Sequence, residues 1–244
     1  MARRWNKAEE KLYRDQLIKL YVKQNKTIAE ISVYLNISES TVFDRLKRLG
    51  ITTNPQNKAR YCNRSRIVVV PSKRSTKLAE FYGIMLGDGH ISRFQIVVTL
   101  GTKELSYVEY VASLMNELFD AKPTIIVRKD GYRDVYFGSV NLIKYMQADG
   151  FVTNKVKHQV DIPKWIFEKL GWMNSFVRGF FDTDGSVYQL RFGIQVSFTN
   201  KSARLLVSLH KMLIALGYNP SAISTDRIYL TRRGDLTRFF SEVR

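Results

Sequence analysis

Two stretches of this 244-residue chain are near copies of each other. LAEFYGIMLGDGHI begins at Leu78 and NSFVRGFFDTDGSV at Asn174; aligned, Gly83 falls on Gly179, Gly87 on Thr183, Asp88 on Asp184 and Gly89 on Gly185. A repeat at domain-scale spacing constrains the fold before any single residue does. Each copy is an apolar helical run with a small residue four positions after a glycine, so the small residues share one face. Glycine inside a helix costs about 1 kcal/mol relative to alanine. Close backbone contact between two helices is a reason for that placement. The spacing therefore predicts that the two copies pack on each other.

Each copy then runs into Asp-Gly. Gly89 and Gly185 suit the left-handed position that ends many helices. The aspartates face the negative end of the helix dipole, an unfavourable placement worth roughly 0.3–1 kcal/mol. Pairing the helices brings Asp88 and Asp184 together, and something cationic should sit between them. Two carboxylates are hard oxygen donors of the kind that suits Mg²⁺. The competing reading is that both aspartates only cap turns. Asp182, two residues before Asp184, projects to another face and stays outside the expected site.

The segments after each copy alternate as strands do. In the second, Tyr188, Leu190, Phe192, Ile194, Val196 and Phe198 interleave with Gln189, Arg191, Gly193, Gln195, Ser197 and Thr199. In the first, Phe94, Ile96, Val98 and Leu100 interleave with Arg93, Gln95, Val97 and Thr99. Helical runs follow from Leu105 to Phe119 and from Ser202 to Leu216, then shorter strand pairs around Thr124 to Gly138 and Ala222 to Thr231. Sheets with one apolar and one polar face are expected, and Arg93, Gln95, Thr99, Gln189, Arg191, Gln195 and Ser197 suit base-edge readout. Plain solvent exposure is the alternative for such a face.

Ahead of the repeat, apolar residues from Lys7 to Val22 recur at helical spacing. TIAEISVYLNISESTVFDRLKRLGI then reads as helix, turn, helix, with Gly50 closing it. This stretch resembles the helix-turn-helix DNA-binding motif, which implies that Glu39, Ser40, Thr41, Asp44 and Arg45 face DNA, with Lys47 and Arg48 near phosphates. A spacer bundle is the alternative. Residues 52–75 lose periodicity and carry Lys58, Arg60, Arg64, Arg66, Lys73 and Arg74 with no acid, a basic linker able to track a phosphate backbone.

Composition agrees with a polyanionic partner: the formal net charge is +17 and the pI about 9.9, with the excess densest in the N-terminal third. One cysteine, Cys62, excludes an internal disulfide, and His90, His158 and His210 lie too far apart for a zinc motif. No apolar run is long enough for a membrane span, so a cytoplasmic or nucleoid-associated protein is expected.

The paired motifs, with the segments that follow them, resemble the LAGLIDADG homing endonucleases from about Thr76 to the C-terminus. The resemblance implies an α+β fold in which a helix-turn-helix domain (1–51) and the basic linker (52–75) precede two αββαββα repeats (76–171 and 172–244). These form a pseudo-twofold antiparallel β saddle. It implies Asp88 and Asp184, with Gly87 and Thr183, as holders of two or three Mg²⁺ ions, Mn²⁺ substituting and Ca²⁺ binding without turnover. Lys155, with Lys157 close behind, matches the lysine that approaches the site. Asn200 and, in the first copy, Thr102 match the polar position near the attacking water. The implied activity is hydrolysis of both strands of duplex DNA at a long asymmetric site by a monomer, encoded within an intron. A domesticated transcriptional regulator and an intron RNA maturase, with RNA as partner, are the alternatives. An intein is not expected, because the chain lacks a Cys or Ser start and a His-Asn end.

Overall fold

The computed structural model describes residues 6–51, 67–191 and 193–243, and the chain divides into two compact units, residues 1–64 and 65–244. The basic residues Lys58, Arg60, Arg64 and Arg66 lie outside the described residues. Among the described residues no helix is long and apolar enough to cross a membrane.

The first unit is helical. A reciprocal capping box between Asn6 and Glu9 opens α1 (Lys7–Leu17), which continues as a π-helical turn, Ile18–Lys23. A second box, Thr27 with Glu30, opens α2 (Ile28–Leu35). Asn36 then turns the chain at φ 52°, and Ser38 caps α3 (Glu39–Arg48) by accepting from the Thr41 N–H at 3.2 Å. Leu17, Leu20, Tyr21, Ile31, Val42, Leu46 and Leu49 form the core. Leu12, expected on the apolar face of α1, is exposed.

The second unit is built around two long helices. Its first half runs α4 (Thr76–Leu86), β1 (Gly89–Ile91), β2 (Ile96–Leu100), α5 (Leu105–Phe119), β3 (Thr124–Val127), β4 (Arg133–Phe137) and α6 (Val140–Ala148). A 3-10 helix, Lys164–Glu168, leads into α7 (Leu170–Asp184), β5 (Gly185–Leu190), β6 (Gly193–Thr199), α8 (Ala203–Ala215), β7 (Arg227–Leu230) and α9 (Arg233–Glu242). The sheets are antiparallel, in order β1-β2-β4-β3 and β5-β6-β7. The first half is thus the expected αββαββα unit. The second has β7 where a strand pair was expected. Before β7, Pro220 has no N–H to give a ladder, and the neighbouring Asn219 N–H binds the Asp235 carboxylate at 2.9 Å.

The two motif helices, α4 and α7, pack against each other as the glycines require. A Cβ added at Gly83 would stand 2.3 Å from the Phe176 carbonyl oxygen, and one at Gly179 would stand 2.1 Å from that of Glu80. Around this contact lies one continuous core. Phe81 meets Phe119 edge-on and Phe119 meets Phe137; Phe181, Phe198 and Phe239 do the same in the second half. Each such ring contributes roughly 1.5–3 kcal/mol by leaving water.

Three expectations change here. Gly89 and Gly185 do not adopt the left-handed conformation; they begin β1 and β5, and Gly185 has φ −92°, ψ 158°. Their small size is needed because a side chain would strike the Met85 and Phe181 backbones at 2.4 and 2.3 Å. Phe94 is exposed in the turn between β1 and β2, with Arg93 stacked on it at 5.3 Å. Residues 67–75 belong to the second unit rather than to a tether. The Asn141 amide brackets the backbone of buried Val68, and Arg74 grips Asp149 with two bonds of 2.6 Å while stacking on Trp165.

Candidate active site at the paired helix ends

Because α4 and α7 touch along their glycine faces, their C-terminal ends arrive together. Asp184 is the last residue of α7, and Asp88 follows Gly87, the C-cap of α4. A Cβ at Gly87 would lie 3.5 Å from the Asp184 carboxyl carbon and 1.9 Å from Thr183 Oγ1. The Thr183 hydroxyl is turned back onto its own helix, donating to the Gly179 and Phe180 carbonyls at 3.2 and 3.0 Å.

Lys155 reaches this point from the segment joining the repeats. Its Nζ donates to the carbonyls of Met85 (3.2 Å), Leu86 (3.0 Å) and Gly87. These are the last acceptors of α4, so one ammonium closes the helix and faces both aspartates. Burial lowers the Lys155 pKa, while Asp184 and Asp88 oppose that shift. Lys157, expected close behind, is exposed with its backbone N–H bound to the Asn154 side chain at 3.0 Å.

The two carboxylates are not equivalent. Asn200, just past β6, donates from Nδ2 to Asp184 Oδ2 at 2.7 Å. The Asp88 carboxylate takes no hydrogen bond among the described residues. Sheet register explains this difference, since Gly89 pairs with Val98 and Gly185 with Phe198. The residue two beyond is buried Leu100 in the first repeat and Asn200 in the second. The expected counterpart Thr102 lies further on, in an exposed loop where its carbonyl accepts from Arg133 at 2.8 Å.

Asp88 reaches solvent at the rim of the site, yet loss of hydration, then the Asp184 charge, push its pKa up to about 6, with Lys155 opposing and Glu104 adding. The Asp184 carboxyl is also raised, by burial, against the Asn200 hydrogen bond and Lys155. A carboxyl whose folded-state pKa is raised costs stability once pH passes its unfolded value. Without added metal, the protein should therefore lose stability between about pH 4 and pH 6. Asp88→Asn should reduce this slope, leaving the part that Asp184 carries, and add up to about 1 kcal/mol at pH 7, a figure discounted for exposure. Urea denaturation with chelator at several pH values measures it, and an unchanged slope in the variant overturns it.

This donor set fits a divalent cation. It offers hard oxygens only, one carboxylate lacks a donor, and both are held toward protonation by a setting that a cation would reverse. Among the described residues there is no cluster of three or more His, Cys, Asp and Glu side chains able to hold a metal alone. Remaining ligands would have to come from carbonyls, water or substrate. The Gly87 carbonyl is already an acceptor from Lys155.

The expected DNA-facing residues fare unevenly. Cross-strand partners share a sheet face. Tyr188 pairs with Gln195, and Gln189 with Ile194, so Gln195 lies on the face turned from the core. Gln189 lies on the same face as Ile194 and Val196. Straight alternation from Tyr188 to Phe198 ignores the hairpin, and pairing Leu190 with Gly193 inverts parity across it. Ser197 lies on the open face but is fully buried, its Oγ without a partner, so it is not presented to a ligand. Arg191 is exposed in the turn, and Arg93 and Gln95 are exposed in the β1–β2 loop. Thr99 is committed to Asp134 at 2.7 Å. In the first unit Glu39, Ser40, Asp44, Lys47 and Arg48 are exposed. Thr41 bonds Ser38 at 2.8 Å, and Arg45 stacks on Tyr13 at 4.3 Å. Phe43, on which the sequence pattern makes no assignment, is exposed on α3.

Comparison with known proteins follows the same lines. The family model of the LAGLIDADG-like domain matches residues 171–244. The replication factor C small subunit of Methanocaldococcus jannaschii is 30% identical over 117 residues, 48% of this chain and 6% of that protein. Full-length DUF199/WhiA from Thermatoga maritima is 18% identical with a TM-score of 0.49, over 72% of this chain and 57% of that one. I-DmoI in complex with DNA and Mn is 16% identical with a TM-score of 0.52, over 69% of this chain and 96% of that one. The chain thus spans a small part of the curated relative and just over half of the WhiA protein. Residues 171–244 match the LAGLIDADG-like domain, and over 69% of its length this chain shares the fold of I-DmoI.

Proposed function

We propose that this protein is a site-specific endonuclease that hydrolyses one phosphodiester bond in each strand of duplex DNA with a divalent cation, Mg²⁺ foremost. The observation that carries this reading is the pair of carboxylates at touching helix ends, one of them without a hydrogen-bond donor, with a lysine beside them. I-DmoI has the same fold and is known in complex with DNA together with Mn or Ca. The net charge of +17 suits a nucleic-acid partner.

Asp88 and Asp184 would hold the cation, with the carbonyls of Gly87 and Thr183 as further oxygen donors. Bound there, the cation supplies charge neutralisation at the reacting phosphate. Lys155 compensates the carboxylates and closes α4. Asn200 fixes the orientation of Asp184 and stands where an attacking water can be ordered. In the reaction a water oxygen bonds to phosphorus, the P–O bond to the leaving strand breaks, and the water proton passes to solvent. With both motifs in one chain, a monomer on an asymmetric site is the expected assembly. The N-terminal unit would extend the footprint through α3 and raise affinity by linkage.

Incubation of a supercoiled plasmid library with Mg²⁺ tests the reading. Linear product that disappears with chelator is expected. Tight DNA binding without any cutting in Mg²⁺ or Mn²⁺ would overturn it in favour of a regulator.

A further inference from the structure

The two sheet faces turned from the core differ in chemistry. On the first sheet, register places His90, Val97 and Tyr136 in one row and Thr99, Asp134 and Ile126 in the next, with no Lys or Arg in either. On the second sheet, β7 carries Arg227 opposite Thr199, next to the row of Ser197 and Tyr229. Arg227 is exposed. Asp226 faces its Nε edge at 3.6 Å, and Tyr229 follows two positions on along the same open face. Asp226 approaches only that edge, and the Arg227 side chain is 46% exposed.

The position of Arg227 ties it to the candidate active site. The Asp226 carbonyl accepts from the Asn200 N–H at 3.0 Å, and Asn200 holds Asp184. Arg227 therefore stands one residue from the strand pairing that fixes the second aspartate. A planar fork presents two parallel N–H donors, and guanine alone among the bases offers two adjacent acceptors, O6 and N7, in the major groove.

We propose that Arg227 is a specificity-determining residue that reads one guanine in the half-site bound by the second repeat, near the bond cut on that side. The inference rests on the DNA-cleaving reading above for its substrate. A phosphate contact or a surface ion pair with Asp226 would have different consequences. The ion pair lies between exposed groups, so its removal changes little. A phosphate contact weakens binding alike on every sequence and lowers the salt dependence by about one charge.

Selecting bound duplexes from a random library in Ca²⁺, for the full chain and for Arg227→Gln and Arg227→Lys, tests the assignment. The parent chain should fix a guanine at one position. Both variants should relax that position by roughly ten- to a hundredfold while leaving every other position unchanged. Arg227→Lys keeps the charge and should keep the salt dependence, which separates loss of the fork from loss of charge. Uniform weakening, or an unaltered base preference in both variants, overturns the proposal. Digestion of the selected duplexes in Mg²⁺ reports separately on cleavage: selected sites that are bound but never cut sink the nuclease reading and leave the Arg227 result standing. Recovery of no preferred sequence by the parent chain overturns both.

Discussion

Asp88→Asn and Asp184→Asn should each lower double-strand cleavage by about a thousandfold or more, with DNA binding kept within a few-fold, because each removes half of the hard-oxygen pair on which charge neutralisation at phosphate depends. The two variants should differ in detail. Asp184 accepts from Asn200 at 2.7 Å, and an asparagine there can still accept from that amide, so the local fold is retained. The Asp88 carboxylate accepts no hydrogen bond among the described residues, so its neutral replacement relieves repulsion with Asp184 and gives up only the attraction of Lys155. Linear and nicked plasmid products, followed over time beside a gel shift, measure the effect. Normal cutting by either variant would remove that aspartate from the site.

The second large effect concerns stability rather than chemistry. Gly83→Val and Gly179→Val should each destabilise the second unit by roughly 3–5 kcal/mol, the upper range for overpacking, and leave much of the protein unfolded at 37 °C. The atoms in the way are backbone, the Phe176 carbonyl oxygen at 2.3 Å and the Glu80 carbonyl oxygen at 2.1 Å. No rotamer change can move them, and separating the helices would open the aromatic core on either side. Gly87→Ala offers a contrast, because its obstacle is the Thr183 side chain at 1.9 Å. Thr183→Gly in the same chain should restore part of the loss. Urea midpoints measure all four variants, and a Gly179→Val protein as stable as the parent refutes the close-packed interface.

The sequence made the helix pair legible because its signal is doubled. A glycine four positions before another small residue says little once, but the same pattern ahead of two Asp-Gly steps points to two helices in backbone contact. Lys155 and Asn200 were reachable only through the family resemblance, since nothing local marks either. The open sheet faces were read less well. Alternation across the β5–β6 turn hides the parity change that puts Gln189 with Ile194 and brings Tyr188 beside Gln195. Burial of Ser197 depends on neighbours from two other strands, which period-two patterning does not encode. The strand expected before β7 is reduced to a bridge between Ser224 and Arg227, and the Asn219 N–H ahead of it binds Asp235, sixteen positions away. Arg74 looked like part of a charged tether, but its partner Asp149 is 75 residues away.

The unequal surroundings of the acidic tips carry a consequence of their own. A homodimer built from one such unit would have to place the same amide, or the same leucine, at both reaction centres. Joining two copies in tandem lifts that obligation. Here Leu100 occupies the place that Asn200 takes in the other half, so on the proposed nuclease reading selection can adjust how readily one strand is broken without altering the other.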